Sequence, residues 1–186
     1  MGALRWPLKR ARDVIWGGGV IAYPTEAVFG LGCDPLNAQA VARIFAIKQR
    51  APAKGFILIA ADIAQLEPFM QLDAAMRAEV LKTWPGPVTW VVPASEGVPE
   101  WLSGGRDTLA VRVTAHPVAR ALCEATALAL VSTSANLSGH APLRSPPTVR
   151  RLLGDKVDYV VPGTVGALKN PTEIRDARTG KILRAA

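Results

Sequence analysis

A chain of 186 residues, 49% of them hydrophobic, is long enough to bury a core and too apolar to be disordered. Its formal charge of +7, from 22 Lys and Arg against 15 Asp and Glu, suits an anionic partner such as a nucleotide, phosphate or RNA. No apolar run approaches the ~20 residues of a membrane span, the start lacks the features of a signal peptide, and Trp6 stands where a myristoylation motif after Gly2 needs Ser or Thr; a single soluble, cytoplasmic domain over 1–186 is expected.

In chain order, PLKRARDVIWGGG reads as a helix with Pro7 in its first turn and glycines at its end. VIAYPT (20–25) reads as a strand stopped by proline, NAQAVARIFAIK as a helix capped by Asn37, and FILIA (56–60) as a buried strand. A helical pair is expected from about Ile63 to Thr83. VTWVV (88–92), bracketed by prolines, is either an edge strand or a strand held between rigid turns. LAVRV (109–113) is a strand, HPVARALCEAT a helix, LALVST (128–133) a strand, and SPPTVRRLLG a helix with Ser145 as cap and Gly154 as stop. The tail suggests short strands at DYVV, TEIRD and KILR. The alternation makes the fold mixed α/β or α+β.

Three places have the chemistry of a site. In the helix ending at Lys48, the lysine falls seven residues after Val41 and so shares the apolar face, where an ammonium needs a partner. Arg50 follows, and Pro52 keeps the helix from continuing. Two ordered neighbouring cations imply an anion between them; taken alone, they fit the ordinary capping of a helix C-terminus somewhat better. In LALVSTSANLSG a buried strand runs into Ser132, Thr133, Ser134, Asn136 and Ser138, donors for phosphate or carboxylate oxygens, or else a turn satisfying its own backbone. In PTEAVFGLG, Thr25 is held at a strand end, and Gly30 and Gly32 permit close backbone approach or simply a tight connection.

Cys33, Cys123, His116 and His140 lack metal-ligand spacing, so the cysteines read as reduced core thiols. There is no G-x-x-x-x-G-K-[ST], no G-x-G-x-x-G and no G-x-S-x-G, so any phosphate must be handled by side-chain cations and hydroxyls.

The segments YPTEAVFGLGCDP, KQRAPAKGFILIA, LAVRV, STSANLSG and NPTEIRD occur in the order and spacing of the YrdC family, which the chain resembles from about Val20 to Arg184. The likeness is to its short bacterial form. It implies a mixed twisted sheet flanked by helices around a large, concave, basic cleft. It further implies synthesis of threonylcarbamoyl-AMP and pyrophosphate from L-threonine, bicarbonate and ATP with Mg²⁺, for a tRNA adenosine beside the anticodon, with other proteins transferring the threonylcarbamoyl group.

By that resemblance Lys48 and Arg50 hold the ATP phosphates. Ser134 and Asn136, with Ser132 just before them, meet nucleotide and threonine. Thr25 lies near the amino acid, and Thr172 stands on that side where serine is usual. Arg112, with Thr108 ahead of it, contacts the nucleotide, as do Ser145 and the closing Arg184. No catalytic acid, base or nucleophile is implied, only alignment and neutralised charge. Ala27 and Phe29 replace hydroxyl-bearing residues common in the family, and Gly55 replaces a frequent proline, which suggests a less rigid loop. Two rival readings are an RNA-binding module acting on tRNA or ribosomal precursor, and a carbamoyl-phosphate-type transferase, which in larger enzymes comes with further domains.

Overall fold

The computed structural model describes residues 5–137 and 139–186, so Gly2 and Ser138 lie outside the described residues. Helix α1 (Arg5–Trp16) leads into β1 (Ile21–Pro24) and β2 (Phe29–Gly32), followed by α2 (Ala38–Lys48), β3 (Ile57–Ala60) and α3 (Ala74–Leu81). Then come β4 (Val88–Pro93), α4 (Glu100–Ser103), β5 (Thr108–Val113), α5 (Pro117–Thr126) and β6 (Leu130–Ser134). Helix α6 (Pro146–Leu153) and strands β7 (Tyr159–Val160), β8 (Glu173–Asp176) and β9 (Ile182–Arg184) complete the chain. Among the described residues nine strands form one sheet, ordered β7-β1-β2-β6-β3-β5-β4-β8-β9. The pairs β1/β7, β3/β5 and β4/β8 are parallel and the others antiparallel, so the sheet is mixed.

Strand alternation gives the sheet two unlike faces. On one, Ala22, Leu31, Leu58, Trp90, Val111 and Val131 pack in a single core with Val41 and Ile44 of α2 and Val149 and Leu153 of α6. On the other, Ile21, Tyr23, Ile59 and Leu130 meet Ala11 and Ile15 of α1 and Val118, Leu122 and Cys123 of α5. These two helices cover only part of that second face. The same rows continue as Ile57, Ala110, Arg112, Ser132 and Ser134, and there the sheet is the floor of a cavity.

Capping follows the sequence. Asn37 accepts from Ala40 N at 3.0 Å and starts α2, and His116 Nδ1 accepts from Ala119 N at 3.4 Å at the start of α5. One expectation changes and two open alternatives are decided. The helical pair of 63–83 is one helix, α3, preceded by two 3₁₀ turns (Ile63–Gln65, Glu67–Phe69), because Pro68 stops the first half and Asp73 caps α3 afresh through Met76 N at 2.7 Å. The stretch after Thr25 is a strand, β2, where a tight connection was the alternative. Its glycines serve close approach, since a Cβ on Gly32 would lie 2.6 Å from Val131 O and 2.7 Å from the Tyr23 ring. Strand β4 is interior, between β5 and β8; Pro85 and Pro87 precede it and Pro93 is its last paired residue, opposite Thr108.

Candidate active site

The uncovered part of the sheet floors a cavity of about 320 Å³. Five cations line it (Arg50, Lys54, Arg106, Arg112 and Arg184), together with the hydroxyls of Thr25, Ser103, Thr108, Ser132, Thr133, Ser134 and Thr172. Among the described residues no carboxylate lines it. A concave, low-dielectric wall of one charge sign attracts a polyanion and strengthens each contact made inside it.

Helix α2 brings Lys48 to the cavity's edge but not into its wall. The side chain is only 4% exposed. Its Nζ donates to Ser134 O at 2.5 Å and to Asn136 O and Oδ1, each at 3.1 Å. Asn136 Oδ1 also accepts from Ser134 Oγ at 2.6 Å, so lysine, serine and asparagine form one knot around the turn after β6. Asn136 lies in that knot and not on the cavity wall. The anion expected between Lys48 and Arg50 is thus unnecessary to hold the lysine, because three oxygen acceptors match its three protons. Burial first, then the neighbouring Arg50 charge, push Lys48 down to about 8.

Arg50 leaves α2 after Gln49, whose left-handed φ of 50° ends the helix. Its guanidinium donates to Gly55 O at 2.9 Å, Lys54 O at 3.2 Å and Thr133 Oγ1 at 3.3 Å. It stacks 5.4 Å from the centre of the Phe56 ring, and its buried Nε has no hydrogen-bond partner. Burial and then Arg106 hold its affinity for protons below that of a free arginine. Arg106 donates to Ala53 O at 2.9 Å and Lys54 O at 3.1 Å, so two arginines fix the backbone of the 52–55 loop. These bonds hold the loop where the family's frequent proline is missing. Gly55 has φ +57°, which proline cannot adopt, and a Cβ there would lie 2.5 Å from Leu102 O.

Arg112 projects from β5 onto the cavity floor, 4% exposed. It donates to Thr89 Oγ1 and Thr172 Oγ1, each at 3.0 Å, and pairs with Glu26 Oε2 at 3.1 Å. Arg184 of β9 donates to Thr172 O at 2.7 Å, and burial, then Arg112, lower its proton affinity. Thr25 Oγ1 donates to Val28 O at 2.7 Å and closes the turn between β1 and β2.

Eight of the eleven residues expected at the site therefore line one cavity, namely Thr25, Arg50, Thr108, Arg112, Ser132, Ser134, Thr172 and Arg184. Lys48 and Asn136 touch Ser134 from outside it. Ser145 is not on the cavity wall; it caps α6 three residues after the lining Pro142, its Oγ 2.8 Å from Thr148 Oγ1. Ala27 lines the cavity without a hydroxyl, and Phe29 is core. Sequence reasoning missed Arg106, Thr89 and Glu26. Glu26, an acid between a threonine and an apolar run in an otherwise uncharged stretch, was the one with a readable signal. Among the described residues no three His, Cys, Asp or Glu side chains gather as metal ligands, and no helix is long and apolar enough to cross a membrane.

Comparison with known proteins fits this geometry. The family model Sua5_yciO_yrdC, described as "Telomere recombination", matches residues 13–186. A protein of Halorhodospira halophila named Threonylcarbamoyl-AMP synthase is 60% identical over 184 residues, covering 98% of this chain and 96% of its own. One of Nitrosococcus oceani with the same name is 54% identical, covering 99% of this chain and 100% of its own. Among solved structures, P. abyssi Sua5 complexed with L-threonine superposes with a TM-score of 0.89 at 33% identity. That match covers 96% of this chain, which spans about half, 54%, of the Sua5 chain. The matched motifs run through β2, β3, β5, β6 and β8, each of which puts a residue on the cavity wall, and the chain belongs to the Sua5/YciO/YrdC family.

Proposed function

We propose that the chain is a threonylcarbamoyl-AMP synthase, a nucleotidyltransferase that joins L-threonine, bicarbonate and ATP and releases pyrophosphate. The observation that carries this reading is the cavity wall of five cations and seven hydroxyls without a carboxylate, on the open half of the sheet. The names of relatives 54% and 60% identical over almost the whole chain support the same reading. Threonine's amine and bicarbonate form a carbamate, whose oxygen attacks the α-phosphorus of ATP as pyrophosphate leaves. Such transfer needs alignment and charge neutralisation more than acid–base chemistry.

In this reading Arg50, Lys54 and Arg106 neutralise the triphosphate. Arg112, Arg184 and Thr108 border the nucleotide. Thr25, Ser132 and Thr172 face the amino acid. Lys48 and Asn136 act by fixing Ser134, and Ser145, outside the cavity, has no part. Mg²⁺ bound to ATP would find hydroxyl oxygens such as that of Ser134 and, among the described residues, no carboxylate on the wall; it would supply charge neutralisation for the phosphates. A cytoplasmic setting, a tRNA as final acceptor and separate transfer proteins belong to the same proposal. The RNA-binding module has no observation of its own in its favour.

The test is release of pyrophosphate from ATP. It should require both L-threonine and bicarbonate, and release that ignores either one rejects the proposal.

A further inference from the structure

Glu26 is the one buried carboxylate among the described residues, 7% exposed, and it stands directly on a cavity arginine. Its Oε2 lies 3.1 Å from Arg112 Nη2, and its Oε1 accepts from Thr114 Oγ1 at 2.6 Å. Thr114 lies two residues beyond Arg112, so both reach the same side of the strand. Thr114 Oγ1 in turn accepts from His116 N at 3.1 Å, which ties the carboxylate's orientation to the start of α5. The glutamate's backbone is fixed as well. Glu26 O accepts from Leu168 N at 3.2 Å and Thr25 O from Gly166 N at 2.9 Å. Gly166 packs so close that a Cβ would lie 2.5 Å from Glu26 O.

The guanidinium of Arg112 is thus gripped on two edges, by Glu26 at Nη2 and by the hydroxyls of Thr89 and Thr172 at Nη1, while its buried Nε has no partner. A buried guanidinium cannot shed its proton. Without a counter-charge it would turn toward water or toward any anion at hand. Burial alone does not explain an acid here, because apolar packing at this place is easier to build than an ion pair.

We propose that Glu26 is a positioning residue for the reaction, acting through Arg112. It holds the guanidinium at one place in the cavity wall, so that the anionic group of the substrate meets it without rearrangement. It also offsets one of the five lining cations, so that ground-state attraction does not draw the anion onto Arg112 out of line. The proposal rests on the synthase reading above.

Glu26→Gln keeps the size and one acceptor oxygen for Arg112, turns the other oxygen into a donor that can face the Thr114 hydroxyl, and removes the charge. In the full-length protein it should lower kcat for pyrophosphate release at least about tenfold, while ATP, titrated by calorimetry without threonine, binds as tightly as to wild type or several-fold more tightly. A glutamate that only supported the fold would give the reverse pattern, with a lower melting temperature, unchanged kcat per folded molecule and ATP binding weakened. The kcat loss should also be non-additive with that of Arg112→Gln, because both remove one device. Should Glu26→Gln fail to fold, Thr114→Val, which frees Oε1 and leaves the charge pair, should lower kcat with KM little changed.

A folded Glu26→Gln with kcat within about twofold of wild type, or losses that simply add, overturns the proposal. If wild type binds ATP but releases no pyrophosphate, the synthase reading alone fails. ATP affinity then decides for Glu26, tightening in Glu26→Gln supporting the assignment and weakening rejecting it.

Discussion

Lys48 and Arg50 are two residues apart and differ in what their loss should do. Arg50 lines the cavity and donates to Lys54 O and Gly55 O of the loop that follows it. Arg50→Ala should therefore lower pyrophosphate release about 10²-fold and lower stability by only about 1 kcal/mol, read as a small shift of the urea midpoint. Lys48→Ala removes the donor for Ser134 O, Asn136 O and Asn136 Oδ1, so it should cost roughly 1–3 kcal/mol of stability as well as turnover. The same lysine gives a pH signature. Burial and Arg50 bring it from 10.5 to about 8, so above pH 8 the unfolded chain holds this proton and the folded one does not. Its unfavourable contribution to stability is complete below pH 8 and fades as pH rises toward 10.5. Turnover should move the opposite way and fall as pH passes about 8, because the neutral amine no longer supplies three donors to the turn. A pH–rate profile beside urea midpoints checks both signs, and Lys48→Arg, which stays charged, should move the alkaline fall to higher pH. Position seven after Val41 told the sequence reader that this lysine needed a partner; that the partner is the backbone of a turn 86 residues on was not readable.

At the scale of elements, local signals worked where they were local. Asn37 and Pro117 mark helix starts, and apolar alternation marks β3, β5 and β6. Strand β2 was not legible, because FGLG has low strand propensity by composition, and only the crowding of Tyr23 and Val131 around Gly32 explains its glycines. The same reasoning applies to Gly55. Sequence comparison within the family suggested a softened loop, whereas the backbone needs φ +57° there. Gly55→Pro should therefore destabilise by more than about 1 kcal/mol in thermal melts, and it should weaken ATP binding because Gly55 O is an acceptor for Arg50.

For the whole molecule, the decisive arrangement is a sheet covered fully on one face and half on the other. The exposed half gathers cations from the loop after α2, from β5, from the turn before it and from β9, and no acid joins them on the wall. ATP affinity should accordingly fall as salt is raised from about 50 to about 500 mM, by several-fold, and neutral adenosine should show little of this dependence. A calorimetric titration series measures it. By itself the sequence determined the fold class, the helix and strand candidates, the basic character and the segments that carry the family likeness, because these are written in nearest-neighbour chemistry and in motif order. Only the tertiary structure decided which cations share a wall, that Lys48 holds a turn, that Ser145 caps α6 off that wall and that Glu26 stands on Arg112. Those relations depend on how strands distant in sequence pair, and strand pairing across the sheet leaves no local trace in the chain.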